Sequence, residues 1–267
     1  MSDGPRLSEA EHEVLAQRLL DAIDAGRGID PPSSTIPLTI EDAYRVRRRL
    51  VDHLIARGAR PRGHKIGFTG EAMQRMYGMT GPDFGQLLDY MFVPAGAKVP
   101  ASTLADARAE PEIAFELARP LRGPGVEVGD VLDAVRCVRA AVEVIDSRVG
   151  AVRARGVDSA ADNAGAGRVV LGEVEVGPRD VDLAELTMTF RADGESQTGR
   201  AGDVMGHPAA PVAWLANRLA AMDGLGGSLD EGDVVISGSP VRSVAVAAGS
   251  RLDADFGPLG TIGIDFS

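Results

Sequence analysis

Cysteine, aromatic residues and long apolar runs are scarce in this chain, and each shortage excludes something. A single cysteine, Cys137, allows no internal disulfide, and no Cys/His group has the spacing of a zinc site. Aromatic residues make up only 4 % of the 267 residues, while 33 glycines point to tight turns and small-residue packing. No apolar run approaches the roughly 18 residues needed to span a membrane. The opening MSDGPRLSEAEHEV is polar and acidic, without the charged-then-apolar pattern of a signal, so a cytoplasmic protein is expected. Positive charge is also in deficit. A net charge of -11 argues against nucleic acid or an anionic membrane as the main partner.

What is present is ordinary for a soluble globular protein, with 44 % hydrophobic and 25 % charged residues. Residues 8–25 carry Val14, Leu15, Leu19, Leu20 and Ile23 at helical spacing, with Ser8 and Glu11 as a capping box and Gly26 as a stop. A second helix is predicted from Thr39 to Gly58, and its RVRRRL segment reads as a solvated face. After residue 60 the texture changes to short apolar or alternating runs between glycine and proline turns. Strands are predicted at 63–68, 108–118, 139–147, 168–176, 184–192, 233–237, 243–246, 251–256 and 260–266. Helices are predicted near 70–77, 129–137 and 209–223. The expected organisation is a helical N-terminal region, 1–60, followed by a larger α+β body, 61–267.

Within that body, RAEPEIAFEL (108–117) puts Glu110 and Glu112 on one face of an apolar strand. Glu143 lies in a second apolar strand, among Ala141, Val142, Val144 and Ile145. Glutamate is seldom fully buried without a partner. Three such residues suggest a divalent cation, and an all-carboxylate set selects a hard ion such as Mg²⁺ or Mn²⁺. Three monodentate carboxylates would fill half an octahedron and leave positions for a chelating 2-oxo acid. The competing reading makes them exposed strand residues paired with arginines. Pro111, which lacks a ladder donor, marks an edge or bulge, and Glu116 reads as a solvent or rim residue.

Other candidates lie in GHKIGFT (63–69), where Lys65 and Gly67 share a strand face and leave room for a ligand. Lys65 near carboxylates would stay protonated and could hold a substrate carboxylate or enolate oxygen, or it is an ordinary surface lysine. His64 reads as structural, and His207 suits a helix-cap region as well as a site. GPDFG (81–85) puts Asp83 in a loop, as an acid/base group or an Asx turn. GDVVISGSP (232–240) ends a strand in Ser237, Gly238 and Ser239, suited to an oxygen-rich ligand. ADNAGAG (161–167) is not a dinucleotide fingerprint. Its Asn163 joins those three as a substrate-binding candidate.

GHKIGFT, GPDFG, AEPEIAFEL, VEVIDSR, ADNA, GHP followed by VAWLANRL, and GDVVISGS together resemble the 2-keto-4-pentenoate hydratase / 4-oxalocrotonate decarboxylase family of the fumarylacetoacetate hydrolase superfamily, in order over about residues 40–267. The resemblance implies Mg²⁺ or Mn²⁺ held by Glu110, Glu112 and Glu143, with Lys65 and Asp83 in the active site. It implies a mixed, barrel-like β-sheet roll with flanking helices and a small helical N-terminal region, usually in a homo-oligomer. The family's hydratases act on 2-hydroxy-2,4-dienoates from aromatic breakdown, small 2-oxo acid substrates, and a pathway enzyme can be a partner. PDFG resembles the hydratase form of that loop, so hydration is the leading expectation. A decarboxylase, C–C hydrolase or isomerase of a related 2-oxo acid is the alternative, then a non-catalytic accessory subunit. Gly165 stands where family members commonly carry serine, and the segment after DSR lacks the usual aromatic.

Overall fold

A computed structural model describes residues 6–150, 154–192, 194–222 and 228–267. Two helices come first, α1 (Glu9–Ala25) and α2 (Ile40–Ala56), each opened by a full capping box: Ser8 with Glu11, Thr39 with Asp42. Asp42 is buried and accepts from Arg6 N, Leu7 N, His12 and Thr39, which ties the chain before α1 to the start of α2. Burial alone would raise its pKa, but these hydrogen bonds outweigh it and lower the pKa.

The body follows in the order β1 (Pro61–Gly67), α3 (Glu71–Tyr77), β2 (Asp83–Leu88), β3 (Phe92–Val93), β4 (Ala107–Leu117), α4 (Val128–Ala134), β5 (Val135–Asp146), α5 (Gly156–Ala161) and β6 (Ala166–Leu171). Then come β7 (Thr187–Ala192), β8 (Glu195–Arg200), α6 (Ala210–Ala220), β9 (Val234–Ile236), β10 (Val244–Ala245), β11 (Arg251–Asp255) and β12 (Thr261–Asp265). The larger sheet runs β2-β1-β9-β4-β5-β6-β3, with β10 added to β4. The smaller runs β12-β11-β7-β8. The large sheet is mixed: β1 with β9 and β3 with β6 are parallel, the other pairings antiparallel. This is the expected mixed, curled roll with flanking helices.

The longest strands, β4 and β5, form the sheet's centre, and their apolar side chains are almost all buried. The register fixes the site, because Glu110 lies opposite Glu143. Pro111 causes no slip there. It falls between the stretches of β4 that pair with β10 (Arg108 and Ala109) and with β9 (Ala114 to Glu116), where a missing donor is tolerated. Among the described residues no helix is long and apolar enough to cross a membrane.

Several expectations need correction. Asp83 does not sit in a loop; it begins β2 and is fully buried. Within RVRRRL, Arg47 is not solvated. It is buried, with its guanidinium 3.9 Å from the Phe84 ring centroid and donating to the Phe84 carbonyl at 2.8 Å. Its neighbours Arg45, Arg48 and Arg49 do pair with surface carboxylates. Strands β2, β3 and β8 and helix α5 were not expected, the strand expected over 168–176 ends at Leu171, and the helix expected near 129–137 ends at Ala134, where β5 begins.

Candidate metal centre and active site

On β4, Glu110 and Glu112 alternate with core residues and share a face, and Glu143 faces them from β5. One carboxylate oxygen from each lies within 4.8 Å of the others. Glu112 and Glu143 are fully buried, and Glu110 is half-buried. The competing reading, exposed residues paired with arginines, therefore does not describe Glu112 or Glu143. Burial, then Glu143, push the pKa of both Glu110 and Glu112 upward.

Among the described residues, Lys65 is the cation that pairs with the cluster. It is buried, with Nζ 3.0 Å from Glu143 Oε1 and 3.0 Å from the Ala164 carbonyl, to which it donates. Burial opposes its charge, but Glu143, Glu112 and Glu110 outweigh that, and its pKa is raised. Gly67 lies on the same face, and a Cβ there would come 3.6 Å from Nζ.

Gly238 supplies the next contact. At φ +90° its N–H donates to Glu112 Oε2 at 2.6 Å, a backbone shape that glycine adopts without strain. Ser237 is buried beside it and donates its N–H to the Ile113 carbonyl at 3.1 Å. Ser239 is half-buried and accepts from Val241 N. Glu112 Oε1 and Glu143 Oε2 keep no hydrogen-bond partner despite full burial. Orphaned carboxylate oxygens are costly in a dry interior. With three carboxylates against one lysine, a hard divalent cation fits the donor set.

Asp83 stands on the same strand pair, opposite Gly67. Its Oδ1 accepts from Phe84 N at 2.7 Å and from the Tyr44 hydroxyl at 3.3 Å, while Oδ2 is buried without a partner. Burial raises its pKa to about 6 against the pull of Arg47, the Phe84 N–H, Lys65 and Tyr44. Tyr44 and Arg47 were missed as part of this surround. The available signal was an arginine on the buried α2 stripe that also carries Ala43, Tyr44, Val46, Leu50, Val51 and Leu54.

Asn163 is not aimed at the carboxylates. Its amide clasps the backbone of Gln86, accepting at 2.8 Å and donating at 2.9 Å. It thereby holds the turn whose next residue, Ala164, offers its carbonyl to Lys65. Gly165 follows at φ +66°, and a Cβ there would stand 3.1 Å from the Ile145 side chain. Burial drives His64 down to about 3, so its ring is neutral. His207 accepts from Ala209 N at the entry to α6. A second grouping, Glu116, Cys137 and Glu175, is closed by Arg136, which lies 2.8 Å from Glu116 and 2.7 Å from Glu175.

Known proteins resemble this chain along nearly its whole length. The family model described as fumarylacetoacetate (FAA) hydrolase C-terminal matches residues 86–266. A 2-oxo-hept-4-ene-1,7-dioate hydratase of Escherichia coli is 39% identical over 263 residues, covering 96% of this chain and 97% of its own. A 2-hydroxyhexa-2,4-dienoate hydratase of Comamonas testosteroni is 39% identical over 259 residues, covering 96% and 97%. Among solved structures, 4-oxalocrotonate decarboxylase from Pseudomonas putida G7, complexed with magnesium and adipate, superposes with a TM-score of 0.94 at 32% identity. That match covers 99% of this chain and 100% of the other.

Proposed function

The chain belongs to the fumarylacetoacetate hydrolase family, and from that premise we propose that it is a divalent-metal-dependent hydratase, a hydro-lyase of 2-hydroxy-2,4-dienoic or unsaturated 2-oxo acids. The observation that carries the reading is the convergence of Glu110, Glu112 and Glu143 beside Lys65, with two buried carboxylate oxygens unpartnered. The high identity to hydratases across nearly the whole chain supports hydration over other outcomes.

In this proposal Glu110, Glu112 and Glu143 hold Mg²⁺ or Mn²⁺, which supplies Lewis-acid polarisation of the substrate's 2-oxygen. Lys65 keeps its charge and neutralises the substrate's C1 carboxylate or the developing negative charge on that oxygen. Ser237, Gly238 and Ser239 border the substrate, Gly238 through the N–H that fixes Glu112. Asn163 contributes by holding the Ala164 turn against β2. Asp83 has one oxygen pinned and one free, with a pKa of about 6, which suits it to take and return a proton near neutrality. The proton balance is simple: the 2-hydroxyl gives up its proton and one proton reaches C5, so that the 2-oxygen becomes a carbonyl and the double bond moves from C4–C5 to C3–C4, in conjugation with it. Water then adds its oxygen at C4 and a proton at C3.

The proposal includes a homo-oligomeric enzyme of aromatic breakdown, an expectation that rests on the family resemblance, and retains the separate expectation of a cytoplasmic protein. Its division into a helical region, 1–60, and a catalytic body, 61–267, rests on the change of sequence texture. The whole-chain likeness to a decarboxylase structure favours 2-oxo acid decarboxylation as the second reading. Product analysis by NMR with Mg²⁺ and a 2-hydroxy-2,4-dienoate separates the two. Formation of a 4-hydroxy-2-oxo acid, lost by at least 100-fold in Glu143→Gln, is the expected result. Turnover untouched by Glu143→Gln would overturn the site, and CO₂ release from a 4-oxalocrotonate-type diacid without hydration would move the assignment to the decarboxylase.

A further inference from the structure

Three consecutive residues of the turn after α5 take left-handed backbone angles: Asn163 at φ +52°, Ala164 at φ +53° and Gly165 at φ +66°. Glycine takes that shape freely and asparagine tolerates it, but in alanine the Cβ crowds the following carbonyl. A residue such as Ala164 stays there only where its surroundings over-determine it. The strained residue is also the one that touches the site, because the Ala164 carbonyl accepts from Lys65 Nζ at 3.0 Å. Whatever holds the turn therefore holds the lysine.

Arg148, just beyond β5, grips the turn at both ends. Its Nε donates to Asp162 Oδ1 at 2.7 Å and its backbone N–H to Asp162 Oδ2 at 2.8 Å. Its Nη2 donates to the Asp162 carbonyl at 2.8 Å and its Nη1 to the Ala166 carbonyl at 2.9 Å. Arg148 and Asp162 are both buried. A planar guanidinium suits this grip, since its donors are fixed relative to one another. On the other side the turn is pressed onto β2. A Cβ on Gly85 would stand 2.3 Å from the Asn163 carbonyl oxygen, so glycine there lets the two backbones meet.

Lys65 thus has two anchors of different kinds. Glu143 Oε1 lies 3.0 Å from Nζ and supplies charge. The Ala164 carbonyl supplies direction. An ammonium held by one partner can swivel about it, whereas two partners fix its axis and leave the third N–H for a substrate oxygen.

We propose that Arg148 is a positioning residue for Lys65: it clamps residues 162–166 so that the strained Ala164 carbonyl aims the ammonium. The inference rests on the proposed function only for what Lys65 then contacts. Arg148→Met would leave Asp162 buried and unpaired, so two milder variants test the clamp. Arg148→Lys keeps the charge but cannot span the fork, and Asp162→Asn loosens the grip from its other side.

Lys65 and Lys98 are the chain's two lysines, and Lys98 is exposed. Modification of the metal-free protein by trinitrobenzenesulfonate, read peptide by peptide by mass spectrometry, gives Lys65 against Lys98 as an internal standard. Both variants are expected to raise that ratio about tenfold. Ala164→Gly added to Arg148→Lys is expected to take back most of the rise, because glycine adopts the left-handed angle unaided. With Mg²⁺ bound, titration calorimetry with oxalate is expected to show about tenfold weaker binding in Arg148→Lys. The same change made in Lys65→Met is expected to cost no further affinity. A ratio that does not rise, a rise that Ala164→Gly leaves in place, or an equal loss of oxalate affinity with and without Lys65 overturns the inference. The labelling needs no metal and decides the matter even where oxalate does not bind. If it behaves as expected and no dienoate is hydrated, the hydratase reading falls and this one survives. If dienoates are hydrated and the ratio does not move, the hydratase reading survives and this one falls.

Discussion

Asp83 shows how much a single carboxyl can weigh once it is fully buried. Its pKa near 6 is set by burial first, with Arg47, the Phe84 N–H, Lys65 and Tyr44 pulling the other way. A carboxyl whose pKa is raised on folding supports the fold while protonated, and that support is lost as pH rises through the folded-state value. The contribution is therefore complete below about pH 4, the unfolded range, and gone above about pH 6 to 7. Asp83→Asn keeps the shape without the charge and is expected to gain up to about 3 kcal/mol over wild type at pH 8, with no gain at pH 4. Urea unfolding at the two pH values checks this; a pH-independent difference would mean that the carboxyl is not strained. Asp83 was legible as a candidate in GPDFG, but its burial was not. That burial comes from Tyr44 and Arg47, 39 and 36 residues earlier in the chain, and no local pattern announces such a contact. The three glutamates were legible because each sits among residues that have to be buried whatever the fold. Their convergence depended on a ladder register that sequence does not print.

At the scale of elements, backbones that approach too closely for a side chain dictate glycine. Gly63, at φ +149°, lies at the bulge of β1, where a Cβ would run into the Val234 carbonyl of β9. Gly63→Ala is expected to cost at least about 3 kcal/mol, since neither strand can retreat without breaking the parallel pairing. Gly129, in the first turn of α4, meets nothing within 4 Å, and Gly129→Ala is expected to stabilise by about 0.4 to 1 kcal/mol. Chemical denaturation of the two variants reads both signs; equal effects would contradict this account of the glycines. The elements legible in sequence were those with a buried stripe, such as α1, α2, β4 and β5. Strand β8, Glu195–Arg200, has no buried residue, so it lacked the apolar alternation that would have revealed it. Strand β3 is only two residues long, too short for any period to show.

For the whole molecule, strand order was the part that sequence withheld. Strand β9 arrives more than a hundred residues after β4 and inserts between β1 and β4. That insertion brings Gly238 to Glu112, a contact made across 126 positions of chain. The fold class was readable through the family resemblance, whose motifs mark the segments that meet at the site. Because the carboxylates sit on paired strands β4 and β5, and Gly238 at the end of β9 holds Glu112, a bound cation ties these strands together. At a Mg²⁺ concentration 100 times its Kd, the gain is about 2.7 kcal/mol, a rise in Tm of about 5 to 10 °C. EDTA is expected to reverse the rise and Glu112→Gln to abolish it. A Tm indifferent to Mg²⁺ in the wild type would argue that no cation belongs to the native state.

The central claim is that Glu110, Glu112 and Glu143 hold one divalent cation. Anomalous diffraction from crystals grown with Mn²⁺ tests it most directly. A single strong peak bonded to one or more oxygens of all three carboxylates is the result expected. Density confined to Glu116, Cys137 and Glu175, or no peak among the three glutamates at saturating Mn²⁺, would contradict it.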